Sequence, residues 1–159
     1  MKLYHGSNIA IEKIDLSQGR PAKDFGRGFY LSGDREQAKK MADNVVRRKG
    51  GDPVVSVFEC PDDILESKDL KVLRFDGYSE QWLDFILKNR ANRSLDQTHD
   101  YDIVFGPIAN DAVAVSIALY TDKFISKEEL LRRLKYRHET FQYFFATEKA
   151  ISKLTVSHE

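Results

Sequence analysis

Cysteine is almost missing from this chain of 159 residues. Cys60 stands alone, so no disulfide can form within the chain and a cytoplasmic setting is expected. An excess of charge of either sign is missing too. Lys and Arg together number 25, as do Asp and Glu, so the formal net charge is zero. Proteins that hold nucleic acid mainly through phosphates are clearly basic, and this balance weighs against that class, although a neutral chain can carry a local basic patch. No apolar run approaches the roughly 20 residues that span a bilayer, so no membrane partner is expected. The first residues carry one lysine and then Tyr4, His5 and Gly6, without the apolar core of a signal peptide. No repeat, low-complexity tract or linker interrupts the sequence, which reads as a single domain over residues 1–159. The four histidines show no ligand spacing, so no metal is expected.

What is present is 42% hydrophobic and 31% charged residues, the balance of an ordinary globular chain rather than a disordered one. Short strands are expected at 2–5, 28–32, 53–60, 69–76, 101–109 and 140–147, from their β-branched, aromatic and alternating residues. Asp34 offers an N-cap with Gln37 as capping-box partner, and Ala38, Met41, Ala42, Val45 and Val46 follow at helical spacing until Gly50-Gly51 stops the helix. Further helices are expected at 79–92, at 111–120 and after Ser126, whose box partner is Glu129, with a short helix and a last short strand at the end. Strands and helices do not strictly alternate, which indicates an α+β fold.

Several familiar motifs fail on inspection. "DFG" at 24–26 has no kinase Gly-rich loop or catalytic loop before it, and "GRGFYL" lacks the third glycine of a dinucleotide fingerprint. Three other stretches carry more chemistry. In "LYHGS" (3–7), His5 ends a strand beside Gly6 and Ser7, where the missing Cβ opens the backbone to a flat ligand. In "DFGRGFYLS" (24–32), Gly28 precedes Phe29 and Tyr30, rings on which a cationic heterocycle can stack. In "FQYFFAT" (141–147), Gln142 is an amide among aromatics and needs a hydrogen-bond partner if buried, or else it faces solvent.

Together with "YDIVFGPIAND" (101–111), these stretches resemble the ADP-ribosyltransferase superfamily, with its histidine, tyrosine and acid-or-amide arrangement. More narrowly they resemble a family of small bacterial proteins known only as a domain of unknown function and grouped with those enzymes. The resemblance covers nearly the whole chain. It implies an α+β, ADP-ribosyltransferase-like fold: two packed antiparallel sheets flanked by helices, with an NAD cleft between the sheets. It implies a mono-ADP-ribosyltransferase that uses NAD as co-substrate, releases nicotinamide and modifies an unknown macromolecular acceptor, either protein or nucleic acid. A toxin role alongside an antitoxin protein is part of the same expectation. The alternatives are an NAD glycohydrolase and a non-catalytic NAD-binding module.

The resemblance assigns roles residue by residue. His5 bonds a ribose hydroxyl, the Gly6 backbone takes the nicotinamide carboxamide, Tyr30 stacks on the nicotinamide ring, and Gln142 holds the third position. Ser7, Gly28, Phe29 and Asn110 complete the expected NAD-binding set, with Arg27 on the pyrophosphate. Most active relatives that modify proteins carry glutamate where this chain has Gln142, and an amide cannot act as a general base. Asp111 is the candidate for the missing carboxylate, or else it caps the helix that begins at Ala112. Asp24 is a second candidate acid.

Overall fold

The computed structural model describes residues 1–158. These form seven strands: β1 (Lys2–Ser7), β2 (Phe29–Ser32), β3 (Val54–Glu59), β4 (Val72–Arg74), β5 (Ile103–Pro107), β6 (Phe141–Phe145) and β7 (Thr155–Val156). Five α-helices accompany them: α1 (Arg35–Lys49), α2 (Glu80–Ala91), α3 (Asp111–Thr121), α4 (Lys127–Leu134) and α5 (Glu148–Ile151). The α+β reading holds, and the helices start where side-chain oxygens satisfy the first unpaired amides. Ser79 accepts from Trp82 N–H and Ser126 from Glu129 N–H. Asp34 accepts from Glu36 N–H in place of the expected box with Gln37. Gly50, at φ 80°, closes α1 in a conformation that favours glycine.

The strands form one continuous sheet in the order β4-β5-β6-β2-β1-β3-β7. This departs from the expected pair of packed antiparallel sheets, since β4 and β5 run parallel and every other neighbouring pair runs antiparallel. The sheet comes nearest to dividing between β1 and β2. β1 pairs with β3 along its whole length, but with β2 it is in register at a single position, Tyr4 opposite Ser32.

Register fixes which side chains share a face. Ser32 is opposite Gln142, which is opposite Gly106, and Tyr30 is opposite Phe144, which is opposite Val104. Tyr30, Val104 and Phe144 therefore enter one core with Phe25, Trp82, Ile86, Val113 and Leu130, so α2, α3 and α4 cover this face over β5, β6 and β2. The opposite face carries Leu3, Leu31, Phe58, Ile103 and Phe145, packed with Ile64 and Ala150. Alternation along each strand separates the two cores, one residue apart.

Helix α1 covers β1 on the first face, seated on Ala38 and Ala42. Its approach is so close that a Cβ at Gly6 would lie 1.9 Å from the Ala38 carbonyl oxygen and 2.7 Å from the Ala42 nitrogen. Both are backbone atoms, which cannot rotate away. Gly6→Ala is therefore expected to destabilise the fold by about 3 kcal/mol or more, at the upper end of overpacking costs, read as a lowered denaturant midpoint.

Candidate functional site

A cavity of about 370 Å³ opens on the first face between α1 and the residues leading into α3. Tyr30, Ser32 and Gln142 lie on its sheet side, Gln37, Met41 and Arg48 on its α1 side, and Ile108 and Ala109 close it before α3. His5, Gly6 and Ser7 also line it. The structure thus brings five of the expected site residues together: His5, Gly6, Ser7, Tyr30 and Gln142. A second hollow of about 360 Å³, beside Phe105, Phe141 and Tyr143, contains none of them.

Each of the five is held in its own way. His5 leaves β1 on the face opposite Tyr30, stacks on Phe29 with centroids 4.3 Å apart, and places Nδ1 2.8 Å from the Tyr30 carbonyl oxygen. A carbonyl only accepts, so Nδ1 carries the hydrogen and the neutral ring keeps Nε2 as an acceptor. Burial lowers the His5 pKa below its ordinary value, opposed by that hydrogen bond. This side-chain bond joins β1 to β2 beyond their single register pair, so Gly6 lies where the two strands part. Glycine is required there because α1 crosses it, a constraint the ligand-access reading did not include.

The Tyr30 ring packs 4.9 Å from Phe144, and its hydroxyl accepts from Phe25 N–H and donates to the Gly26 carbonyl. Burial pushes the phenol well above its ordinary value, so it stays protonated. Gln142 Nε2 is buried and, among the described side chains, is the buried polar atom without a hydrogen-bond partner. Such a donor costs about 1–3 kcal/mol unless a ligand or solvent oxygen meets it.

The other expected residues lie elsewhere. Arg27 donates from Nε to the Gly19 carbonyl and from Nη2 to the Ser17 carbonyl, so its guanidinium braces its own loop and does not line the cavity. Gly28 makes room for Phe144, whose ring would be 2.4 Å from an added Cβ. Phe29 supports His5 from the far face. Asn110, not Asp111, caps α3 by accepting from Val113 N–H, and Asp111 is an exposed residue of the first turn. Neither lines the cavity. Asp24 does line it, but its carboxylate is paired with Arg90 at 2.7 Å. Cys60 is buried and its thiol is pushed up to about 11 by desolvation, so it is not a nucleophile at neutral pH.

Sequence reasoning missed the cations. Arg20, Lys23, Arg48 and Lys49 line the cavity and are all exposed. Arg48 and Lys49 sit in the last turn of α1, where cations usually complement the helix dipole, and this hid their second role. The sequence held no signal for it: Met41 stands at a core-stripe spacing, and only the fold leaves it 43% exposed. The stripe Gln37, Met41, Val45, Arg48 faces the cavity instead of the core.

Among the described residues, no group of three or more His, Cys, Asp or Glu side chains is placed to hold a metal ion, and no helix is long and apolar enough to cross a membrane. Over residues 1–156 the chain matches the family described as "Protein of unknown function (DUF3990)", and it belongs to that family. No curated protein matches the chain.

Burial holds both His5 and His99 below the ordinary 6.5. The unfolded chain takes up these protons near pH 6.5 and the folded chain only at lower pH. Their contribution to stability is therefore intact above about 6.5 and falls with acidification toward the folded midpoints. Denaturant midpoints are expected to decline over that lower window, with a shallower decline in His5→Gln.

Proposed function

We propose that this cavity binds NAD and that the chain transfers ADP-ribose to a macromolecular acceptor, with release of nicotinamide. The observation that carries the reading is the unpartnered, buried Gln142 Nε2, on a residue that lines the same cavity as Tyr30 and Gly6. In this reading the seam between β1 and β2 is the NAD cleft of an ADP-ribosyltransferase-like fold.

The residues present fit such a ligand. The Gln142 amide donates from Nε2 to a sugar or phosphate oxygen and accepts a ribose hydroxyl at Oε1. His5, which also lines the cavity, ties β2 to β1 beside Gly6 through the Tyr30 carbonyl and so holds the seam in shape. The Gly6 backbone edge takes the carboxamide. The positive field of Arg20, Lys23, Arg48 and Lys49 at the cavity mouth draws the diphosphate inward, in place of the contact first expected of Arg27. Bound there, NAD supplies a cationic leaving group on a ribose carbon, and the C–N bonding pair departs with nicotinamide. The chain's contribution is to hold that carbon in place and to set acceptor oxygens near the positive charge that develops on it. The toxin role with an antitoxin partner belongs to the same proposal.

One observation favours a second reading, binding without transfer. Among the described residues the only carboxylate that lines the cavity, Asp24, is engaged by Arg90, and Gln142 cannot take a proton at neutral pH. Turnover of labelled NAD in a cell lysate separates the readings. Transfer predicts a labelled macromolecule and free nicotinamide, both reduced about 100-fold or more in His5→Ala, on the scale of losing a positioned polar contact. NAD binding by calorimetry with no labelled product, and a gain of turnover in Gln142→Glu, would establish the binding module instead. Absence of NAD binding overturns both.

A further inference from the structure

We propose that the acceptor is a single-stranded nucleic acid, held across the cavity mouth by Arg20, Lys23, Arg48 and Lys49. The inference rests on the NAD reading of the cavity and names what approaches it second.

The argument is electrostatic. The four cations come from two separated segments, the loop before β2 and the end of α1, and they converge on one opening. None of them has an ion-pair partner among the described residues. The Lys23 ammonium is made easier to deprotonate chiefly by desolvation and then by Arg20, Arg48 and Lys49, with Asp24 opposing them. The single carboxylate at the opening among the described residues, Asp24, is already paired with Arg90. NAD carries only one net negative charge at neutral pH, so with NAD bound the mouth stays strongly positive. An incoming acceptor therefore meets a field that draws polyanions and repels basic peptides.

Guanidinium groups such as Arg20 and Arg48 pair bidentately with phosphate and carboxylate alike, so what favours a phosphodiester chain over an acidic peptide is that it brings bases as well as charge. Tyr4, half-buried in the cavity wall, has the Arg35 guanidinium over one face of its ring, 5.5 Å from the centroid, and its remaining surface suits a base where it does not suit a carboxylate side chain. A cationic track combined with an aromatic ring further along the strand's path is the usual means of holding single strands. Zero net charge did not reveal this, because of the described carboxylates only Asp24 lines the cavity.

The test is fluorescence anisotropy with labelled mixed-sequence single-stranded DNA and RNA of about 12 nucleotides, alongside NAD calorimetry on the same preparations. Four phosphate contacts predict a log–log salt slope of roughly −3 for one of the two strands. Arg48→Glu combined with Lys49→Glu should weaken binding at least tenfold and roughly halve the slope. Arg20→Gln combined with Lys23→Gln should do the same from the other segment. All four residues are exposed, so folding is expected to persist and is checked by circular dichroism. NAD binding without oligonucleotide binding overturns this inference and leaves the NAD reading standing. Oligonucleotide binding without NAD binding overturns the acceptor role and the NAD reading together. A poly-glutamate peptide that binds as tightly as either strand, with the same loss in the variants, overturns the choice of nucleic acid.

Discussion

The site depends on one hydrogen bond, from His5 Nδ1 to the Tyr30 carbonyl. Along a regular ladder, backbone amides would join β1 to β2 as they join β1 to β3. Here the ladder is reduced to Tyr4 and Ser32, and an imidazole spans the next interval. The bond fixes the ring's tautomer and ties β2 to β1 while the strands part. The parting leaves Gly6 at the edge of a cavity, although α1 presses on its open face. Phe29 supports the ring from behind, which explains an aromatic residue there without a ligand contact.

The loop that borders the cavity is fixed by residues of α2 and the segment after it. Buried Asn89 donates to the Asp24 carbonyl, Arg90 pairs with the Asp24 carboxylate, and His99 donates from Nε2 to the Phe25 carbonyl while accepting from Tyr101 N–H. The Tyr30 hydroxyl latches the same turn at Phe25 and Gly26. A segment rich in glycine and polar residues is thereby held by contacts from α2 and the residues after it. The cations of that segment reach the cavity because its backbone is held, not because of any local preference.

Legibility followed the range of the forces involved. Strand and helix positions were readable to within a few residues, since caps such as Ser79 and Ser126, the Gly50-Gly51 stop and the apolar periodicities act locally. His5, Gly6, Ser7, Tyr30 and Gln142 were readable as a set, and they do share one cavity. Arg27, Gly28, Phe29, Asn110 and Asp111 carried the right chemistry for the expected roles but serve the loop, the core and a helix cap. Sequence cannot distinguish a side chain committed to its own backbone from one aimed at a ligand, because both uses favour the same residue types.

By itself the sequence determined the α+β content, the single cysteine, the balance of charge and the chemistry of the central polar residues, because each is a property of the chain or of neighbours along it. The tertiary structure decided the single mixed sheet, the parting of β1 from β2 and the gathering of Arg20, Lys23, Arg48 and Lys49 around one opening. Those features arise where segments far apart in the chain meet. A charge contributes to a field only through its position relative to the others, and the fold alone supplies that position.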